Sequence, residues 1–233
     1  MESIDKINGT FDKKANETKS DVSSAVIRRL PRYHRYLGEL LRAGELRISS
    51  AELAKMMGVT ASQIRQDLNC FGGFGQQGYG YNIKVLYNKI SELLGVSEGY
   101  NAVIIGAGNL GRALAATHMF ERRGVNRIAM FDVDPELVGT KIYGVPVYNI
   151  DELYDFCVSN NVHIGVLTVP KEAAYDVADT LLKAGIKGIW NFANMELKLD
   201  TPDVIVENIH LGDSLMALCY EIKTKNANGD KNV

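Results

Sequence analysis

The stretch that decides the fold is Gly106-Ala107-Gly108-Asn109-Leu110-Gly111. It follows the apolar run at 102–105, which predicts a buried parallel strand, and it opens a helix predicted at 110–123. Asp132 closes the next apolar run, about twenty residues later. Strand, glycine turn, helix, strand and acid in this order are typical of a βαβ unit that binds a dinucleotide.

Each part of this unit has a physical role. Gly106 permits the tight turn, Gly108 lets the backbone touch the pyrophosphate, and Gly111 lets the helix pack close to the strand. The helix start offers free N–H groups and a positive dipole end to the phosphates. The Asp132 carboxylate is expected to bind the adenosine ribose and to repel a 2′-phosphate, which favours NAD(H) over NADP(H). The predicted contacts at this end of the nucleotide are Gly106, Ala107, Gly108, Asn109, Leu110, Gly111 and Asp132.

Two further segments bear on this site. Thr168-Val169-Pro170 ends the apolar strand predicted at 162–168, at the edge where open α/β sheets bind ligands. We expect these three residues to flank the nicotinamide or its ribose. Asp134 is the alternative ribose ligand, but Pro135 after it favours a capping role for that side chain.

Strands and helices alternate from residue 101 to residue 206, and the residues at 143–148 are predicted to form a short extended segment that Pro146 interrupts. This alternation predicts an α/β fold, a Rossmann-like doubly wound parallel sheet with right-handed crossovers. A last helix is predicted at 213–223, and its apolar stripe consists of Leu215, Leu218, Cys219 and Ile222.

The residues before the sheet predict a helix-turn-helix. A first helix is predicted at 26–43, in which Pro31 marks either a kink or the true start. The capping box at 49–52 begins a second helix that ends at Gly58. Only Val59 separates this glycine from Thr60, which is predicted to cap a third helix.

The third helix has an unusual outward face. Ala61, Ile64 and Leu68 share its inward side, whereas Ser62, Gln63, Gln66 and Asn69 project from the opposite side with Arg65 on its flank, and no Lys or Glu is present there. Amide and guanidinium groups make the paired hydrogen bonds that read base edges. The predicted DNA contacts of this helix are Thr60, Ser62, Gln63, Arg65, Gln66 and Asn69.

A glycine-rich segment follows at 71–81, in which five glycines are interleaved with four aromatic residues. This composition excludes a helix interior and predicts a tight hairpin, the wing of a winged helix. Gly78 and Tyr79 are expected to lie near DNA phosphates. A flexible linker is the alternative, although linkers seldom hold aromatic residues. Asn82 then caps a helix that ends at Gly95.

The net charge of −2 conceals an asymmetry. Residues 25–90 carry ten Lys or Arg and four acids, so this segment has a charge of +6 and the rest of the chain has −8. A basic module on an acidic body suits a polyanionic partner for the first part only. A solvated charged surface is the alternative explanation of the charge alone.

Composition argues against several classes of protein. No apolar run approaches the roughly 20 residues of a membrane span, and residues 1–6 lack the apolar core of a signal peptide, so we expect a cytoplasmic protein. The scattered Cys70, Cys157 and Cys219 predict neither a metal site nor a disulfide framework. No histidine pairs with an obvious carboxylate in the sequence, and no second domain is left for a substrate, so we predict no catalytic residues and no enzyme.

Five motifs in order resemble the Rex family of redox-sensing transcriptional repressors, and they lie at 27–33, 49–53, 63–67, 78–82 and 106–111. The resemblance implies a homodimer with an N-terminal winged helix, a Rossmann domain and a C-terminal helix exchanged between subunits. It also implies that operator DNA is bound when NAD+ is abundant and released when NADH accumulates.

The residues and the resemblance together predict five segments: a disordered tail at 1–22, a winged-helix DNA-binding domain at 23–95, a Rossmann NAD(H)-binding domain at 98–209, an exchanged helix at 210–225 and a tail at 226–233. The alternative function is an NAD-dependent oxidoreductase, or a CoA-type nucleotide-binding protein, with a helical N-terminal appendage.

Three departures from the family pattern bear on the switch. Gln76 and Gln77 stand where many members have basic residues, which weakens phosphate contact by the wing. His210 and Thr117 replace an Asp and a Tyr that, in those members, help an Arg couple nucleotide state to domain position. Asn194 replaces a common Pro beside the nicotinamide pocket.

Overall fold

The computed structural model describes residues 22–72, 75–76 and 79–229, which form two compact units that divide between Gly95 and Val96. Most of the predicted N-terminal tail, residues 1–21, lies outside the described residues, as do Gln77 and Gly78 of the wing and residues 230–233.

The first unit consists of four helices and a small sheet. The helices are α1 (Ser24–Arg42), α2 (Ser50–Met57), α3 (Ala61–Asn69) and α4 (Ile83–Leu93). The strands β1 (Arg47–Ile48), β2 (Gly75–Gln76) and β3 (Gly80–Asn82) pair antiparallel in the order β1-β3-β2. The helix-turn-helix and the hairpin after it are therefore confirmed. Pro31 lies inside α1 rather than at its start.

Local hydrogen bonds explain where α2 and α3 begin and end. The Ser49 hydroxyl accepts from the Glu52 N–H at 3.1 Å, while the Glu52 carboxylate accepts from the Ser49 N–H at 2.9 Å. Gly58 ends α2 with a left-handed φ of 64°. Thr60 Oγ1 accepts from the Gln63 N–H at 3.1 Å, which fixes the first turn of α3.

The second unit is a seven-stranded sheet. Its strands are β4 (Tyr100–Ile105), β5 (Val125–Asp132), β6 (Lys141–Ile142), β7 (Val145–Asn149), β8 (Ile164–Leu167), β9 (Gly188–Asn191) and β10 (Ile205–Asn208). They lie in the order β10-β9-β8-β4-β5-β7-β6, and every pair except the β6–β7 hairpin is parallel. The doubly wound sheet is confirmed, and its switch point lies between β4 and β8.

Two predictions for this unit were wrong in detail. The helix predicted at 110–123 is α5 (Asn109–Ala116), because Thr117 takes an extended backbone and its hydroxyl donates to the Leu114 carbonyl at 2.9 Å. A separate 3₁₀ turn follows at Glu121–Arg123. The single extended segment predicted at 143–148 is the second strand of the β6–β7 hairpin together with the turn before it.

The remaining helices are α6 (Leu153–Ser159), α7 (Lys171–Lys183) and α8 (Leu211–Gly229), with a 3₁₀ turn at Ile150–Glu152 before α6. Apolar clusters lie on both faces of the sheet; one contains Phe131, Leu167 and Leu181, and the other contains Ile104, Met130 and Val166. Among the described residues, no helix combines the length and apolarity needed to cross a bilayer.

Candidate nucleotide and DNA sites

The loop between β4 and α5 has the geometry that the glycine pattern predicts. Gly106 has a φ of 98°, and a Cβ there would lie 2.7 Å from the Thr168 carbonyl oxygen. A Cβ on Gly111 would overlap the Gly106 carbonyl, so α5 packs this closely only because residue 111 is glycine. A Cβ on Gly108 would meet nothing within 4 Å, which leaves the start of α5 open to a phosphate.

The other loop residues follow the same arrangement. Ala107 is buried under the loop, whereas Asn109 is exposed and Leu110 is half-buried in the first turn of α5. The Arg112 guanidinium Nε donates to the Ala107 carbonyl at 2.8 Å and braces the loop from within α5. The sequence analysis did not single out Arg112, since its contact is with backbone five residues away.

Asp132 ends β5 beside the glycine loop. Its Oδ2 accepts from the Ala107 N–H at 2.6 Å, and its Oδ1 accepts from the Asp134 N–H at 3.0 Å. The carboxylate therefore lies at the sheet edge where this fold binds an adenosine ribose. Asp134 Oδ1 accepts from the Glu136 N–H at 2.9 Å, in keeping with the capping role expected for Asp134.

Thr168 lies on the opposite side of the switch point. Its hydroxyl is 2.9 Å from the Ile105 carbonyl oxygen and 2.8 Å from that of Gly106, so β8 and the glycine loop meet at this residue. Val169 and Pro170 follow it, half-buried and exposed respectively, and Pro170 occupies the position before α7. The structure thus brings Thr168 against the loop, with the other two residues leading away along the same edge.

A pair of asparagines at this edge, Asn191 buried and Asn208 half-buried, escaped the sequence analysis. The Asn191 amide, at the end of β9, donates to Asn208 Oδ1 at 2.8 Å and to the Met195 carbonyl at 3.0 Å. Asn208, at the end of β10, accepts from the Leu197 N–H at 3.0 Å. The two side chains hold the segment 192–197 against the sheet. The sequence feature that could have predicted this pair is an asparagine at the end of each of two successive strands.

One histidine differs from the expectation that none has a carboxylate partner. His210 Nε2 lies 3.4 Å from Glu196 Oε2, and both side chains are at least partly exposed. The pairing depends on the segment that the asparagines hold, so spacing in the sequence does not reveal it. His163 instead accepts at Nδ1 from the Asn101 N–H at 3.1 Å. In the part of the chain that the structure describes, no three metal-binding side chains cluster.

The outward face of α3 presents the polar side chains that the sequence analysis assigned to DNA. Ser62, Arg65, Gln66 and Asn69 are exposed, as is Thr60 before the helix, while Ile64 and Leu68 are buried. Arg65 Nη1 donates to the Ser50 hydroxyl at 3.1 Å, which holds the guanidinium on one flank of the helix.

Gln63 differs from the other side chains of this set. It is half-buried, and its amide donates to Asp67 Oδ1 at 2.8 Å. Burial by itself raises the pKa of Asp67, but hydrogen bonds from Arg29, Gln63 and Tyr33 outweigh it, so the pKa lies below the ordinary value. Asp67 is therefore an ionised group inside the first unit.

The described part of the wing contains one of its two predicted contacts. The Tyr79 side chain is 71% exposed, and the Arg47 guanidinium lies 5.9 Å from its ring centre and donates to its carbonyl at 3.2 Å. Gly80 has a φ of 69°, and a Cβ there would lie 2.5 Å from the Ile48 carbonyl oxygen, so the hairpin packs on β1 only with glycine.

The last helix, α8, is exposed along its described length, residues 211–225. Its large apolar side chains are more than half exposed, and they are Leu211, Leu215, Met216, Leu218, Tyr220 and Ile222. Leu211, Leu215, Leu218 and Ile222 recur at helical spacing on one face, and an exposed apolar stripe of this kind is typical of an interaction surface.

Two family models match separate parts of the chain. The family described as "Putative DNA-binding protein N-terminus" matches residues 21–69, and the CoA-binding domain family matches residues 97–195. The redox-sensing transcriptional repressor Rex of Thermoanaerobacter pseudethanolicus is 56% identical over 204 residues, which are 88% of this chain and 91% of that protein. The chain belongs to the Rex family. Rex of Clostridium botulinum strain Hall is 53% identical over 210 residues, 90% of this chain and all of that protein.

Crystal structures of the Rex-family repressor RSP have the same fold. RSP in complex with β-NAD+ and operator DNA is 53% identical, with a TM-score of 0.83 over 91% of this chain and 97% of RSP. RSP in complex with β-NADH is 50% identical, with a TM-score of 0.83 over 92% of this chain and the whole of RSP. The α/β fold with its N-terminal winged helix is thus the Rex fold.

Proposed function

We propose that this chain is a transcriptional repressor that binds operator DNA as a homodimer and is released from it by NADH. One observation carries the proposal: a single chain combines an exposed, base-reading helix face on α3 with a glycine loop braced by Asp132. The first suits a DNA major groove, and the second suits a dinucleotide with an unphosphorylated ribose. The proposed DNA contacts are Thr60, Ser62, Arg65, Gln66, Asn69, Gly78 and Tyr79, with Gln63 beside them.

The nucleotide is proposed to be NAD(H) rather than CoA, although a CoA-binding model matches this region. The ribose of CoA carries a 3′-phosphate, and that of NADP(H) carries a 2′-phosphate. Either phosphate would lie close to the Asp132 carboxylate and be repelled by it. The glycine loop, Asp132 and Thr168-Val169-Pro170 form the proposed site.

The switch requires that NADH and NAD+ favour different states of the protein. A ligand shifts a two-state equilibrium only by its differential affinity for the two states. The reduced and oxidised nicotinamides differ by one positive charge and by ring planarity, and this charge acts strongly only where water is excluded. RSP was crystallised with operator DNA in the presence of β-NAD+, which supports the oxidised form as the DNA-competent one.

The homodimer is proposed to form through the exchanged segment 210–225, in which residues 211–225 belong to α8. Its exposed apolar side chains include Leu215, Leu218 and Ile222, which need cover from another surface. A cytoplasmic location and the absence of catalysis complete the proposal. The relatives are named as transcriptional repressors, which supports this part of the proposal.

Fluorescence anisotropy tests the proposal with the full chain and the operator duplex crystallised with RSP. We expect binding to that duplex over a scrambled duplex of equal length, a loss of roughly tenfold or more in affinity with NADH, and no loss with NAD+ or CoA. The NADH absorbance should stay constant throughout. Equal binding to both duplexes would refute the DNA-binding function, and a steady loss of NADH absorbance on adding a small carbonyl substrate would favour an oxidoreductase.

A further inference from the structure

A buried carboxylate in α3 accepts four hydrogen bonds. Asp67 is 1% exposed. Arg29 donates to both of its oxygens, from Nε at 2.7 Å and from Nη2 at 2.8 Å; the Tyr33 hydroxyl donates at 2.9 Å, and the Gln63 amide at 2.8 Å. A carboxylate offers about four lone-pair sites, so each is in use and the direction of the group is fixed. Asp67 thereby ties α3 to two residues of α1.

The position of this network on α3 matters for the exposed face. Successive residues are about 100° apart around a helix, so Gln63 lies on the flank of the helix rather than beside Ser62 and Gln66 at its centre. On the opposite flank, Arg65 donates to Ser50 of α2. The helix is therefore held on both sides, to α1 through Asp67 and to α2 through Arg65.

We infer that Gln63 and Asp67 are positioning residues, which fix the rotation of α3 about its axis and so aim Ser62, Gln66 and Asn69 at the bases. The inference rests on the proposed DNA-binding function. A rotation of about 10° moves a side-chain tip, some 6 Å from the axis, by about 1 Å. Hydrogen bonds to base edges do not survive a displacement of that size, because their useful range spans roughly 0.5 Å.

A purely structural role would give a different result. Apolar residues of similar volume often replace a buried ion pair without loss of stability, because two charges no longer have to be desolvated. What apolar packing does not supply is the directional, bidentate link between Arg29 and the carboxylate. If the network serves rotation rather than stability, an apolar replacement keeps the fold and loses operator discrimination.

The first arm of the test compares two amides of α3, Gln63→Ala and Gln66→Ala, on the RSP operator duplex and on single-base-pair substitutions of it. For Gln66→Ala, the matched control on the outward face, we expect lost discrimination at one base pair. For Gln63→Ala we expect weaker discrimination at several base pairs together, with roughly a fivefold to tenfold loss in operator affinity. Loss at a single base pair, or no loss, would show that Gln63 does not act by positioning.

The second arm uses the double variant Arg29→Met/Asp67→Leu, with thermal unfolding followed by circular dichroism. We expect a folded protein whose midpoint is lowered only by the buried Tyr33 hydroxyl left without its acceptor, an unchanged affinity for the scrambled duplex, and a loss of roughly tenfold to a hundredfold in operator affinity. Full operator discrimination in the folded double variant would overturn the inference. If the double variant does not fold, the Gln63→Ala arm decides alone. Failure of the unmodified protein to prefer the operator would instead refute the proposed function.

Discussion

Removing the Asp132 carboxylate should weaken NADH binding and relax its selection against NADPH. In the Rossmann fold this carboxylate accepts from the ribose hydroxyls, and a hydrogen bond to a charged group contributes about 1.5–3 kcal/mol. Its Oδ2 also holds the Ala107 N–H at 2.6 Å, so the glycine loop loosens with it. For Asp132→Ala we expect a loss of roughly tenfold to a hundredfold in NADH affinity, about 1.4–2.8 kcal/mol.

The selection between nucleotides should change more than the affinity itself. A phosphate charge about 4 Å from the carboxylate is repelled by about 4 kcal/mol at an effective dielectric constant near 20. Calorimetric titration with NADH and NADPH measures both quantities. Asp134→Ala is the matched control, because that carboxylate accepts from the Glu136 N–H and caps a turn. If Asp132→Ala still strongly prefers NADH over NADPH, the reasoning is refuted. If Asp134→Ala loses that preference, Asp134 rather than Asp132 contacts the ribose.

Three other predictions concern the DNA-reading helix, the last helix and acid stability. Arg65→Ala should weaken operator binding by about 1–3 kcal/mol and leave the NADH affinity and the unfolding midpoint unchanged. An operator affinity equal to that of the unmodified protein, measured by fluorescence anisotropy, would contradict the role of α3. Deletion from Asp213 onward should give a monomer in sedimentation that NADH no longer releases from DNA; a responsive dimer would refute the role of α8. Because folding lowers the pKa of Asp67 below its ordinary 3.8, its contribution to stability is complete above that pH and is lost as pH falls through the folded-state value. Urea unfolding should therefore show that Asp67→Asn has a lower free energy of unfolding than the unmodified protein at neutral pH, and that this difference becomes smaller in acid. A difference that does not change with pH would contradict this account.

Features set by nearby residues were predictable from the sequence. The capping box of Ser49 and Glu52, the left-handed Gly58 and the Thr60 cap each depend on contacts within one helical turn. The glycine loop was equally predictable, because the positive φ of Gly106 and the close approach of backbone to Gly111 exclude side chains at these positions. Alternation of apolar strands and helices predicted the doubly wound, mostly parallel sheet, but not the order of its strands.

Features that depend on residues far apart in the chain were not predictable from the sequence. The polarity of Gln63 predicts that it projects outward, but the side chain is half-buried and donates to Asp67, which Arg29 holds from 38 residues away in sequence. The Asn191–Asn208 pair likewise needs the register of β9 against β10. Such side chains find their partners only through the assembled fold, and periodicity contains no information about which polar group meets which.

The effect of a single threonine or proline on the end of a helix or strand was also difficult to predict. Thr117 lies in an apolar, helix-compatible stretch, yet its side chain satisfies the carbonyl of Leu114 and the backbone leaves the helix there. Pro146 suggested an interrupted strand, but it pairs with Lys141 at the sheet edge, within the hairpin.

The central claim is that one coupling free energy links nucleotide state to operator binding. Linkage requires that the operator lower the affinity for NADH by the same factor by which NADH lowers the affinity for the operator. The most direct measurement is the NADH dissociation constant with and without saturating RSP operator duplex, beside the same pair of measurements with NAD+. We predict that the operator weakens NADH binding by roughly 5- to 150-fold and leaves NAD+ binding equal or tighter. Equal NADH affinity in the two conditions would contradict the account.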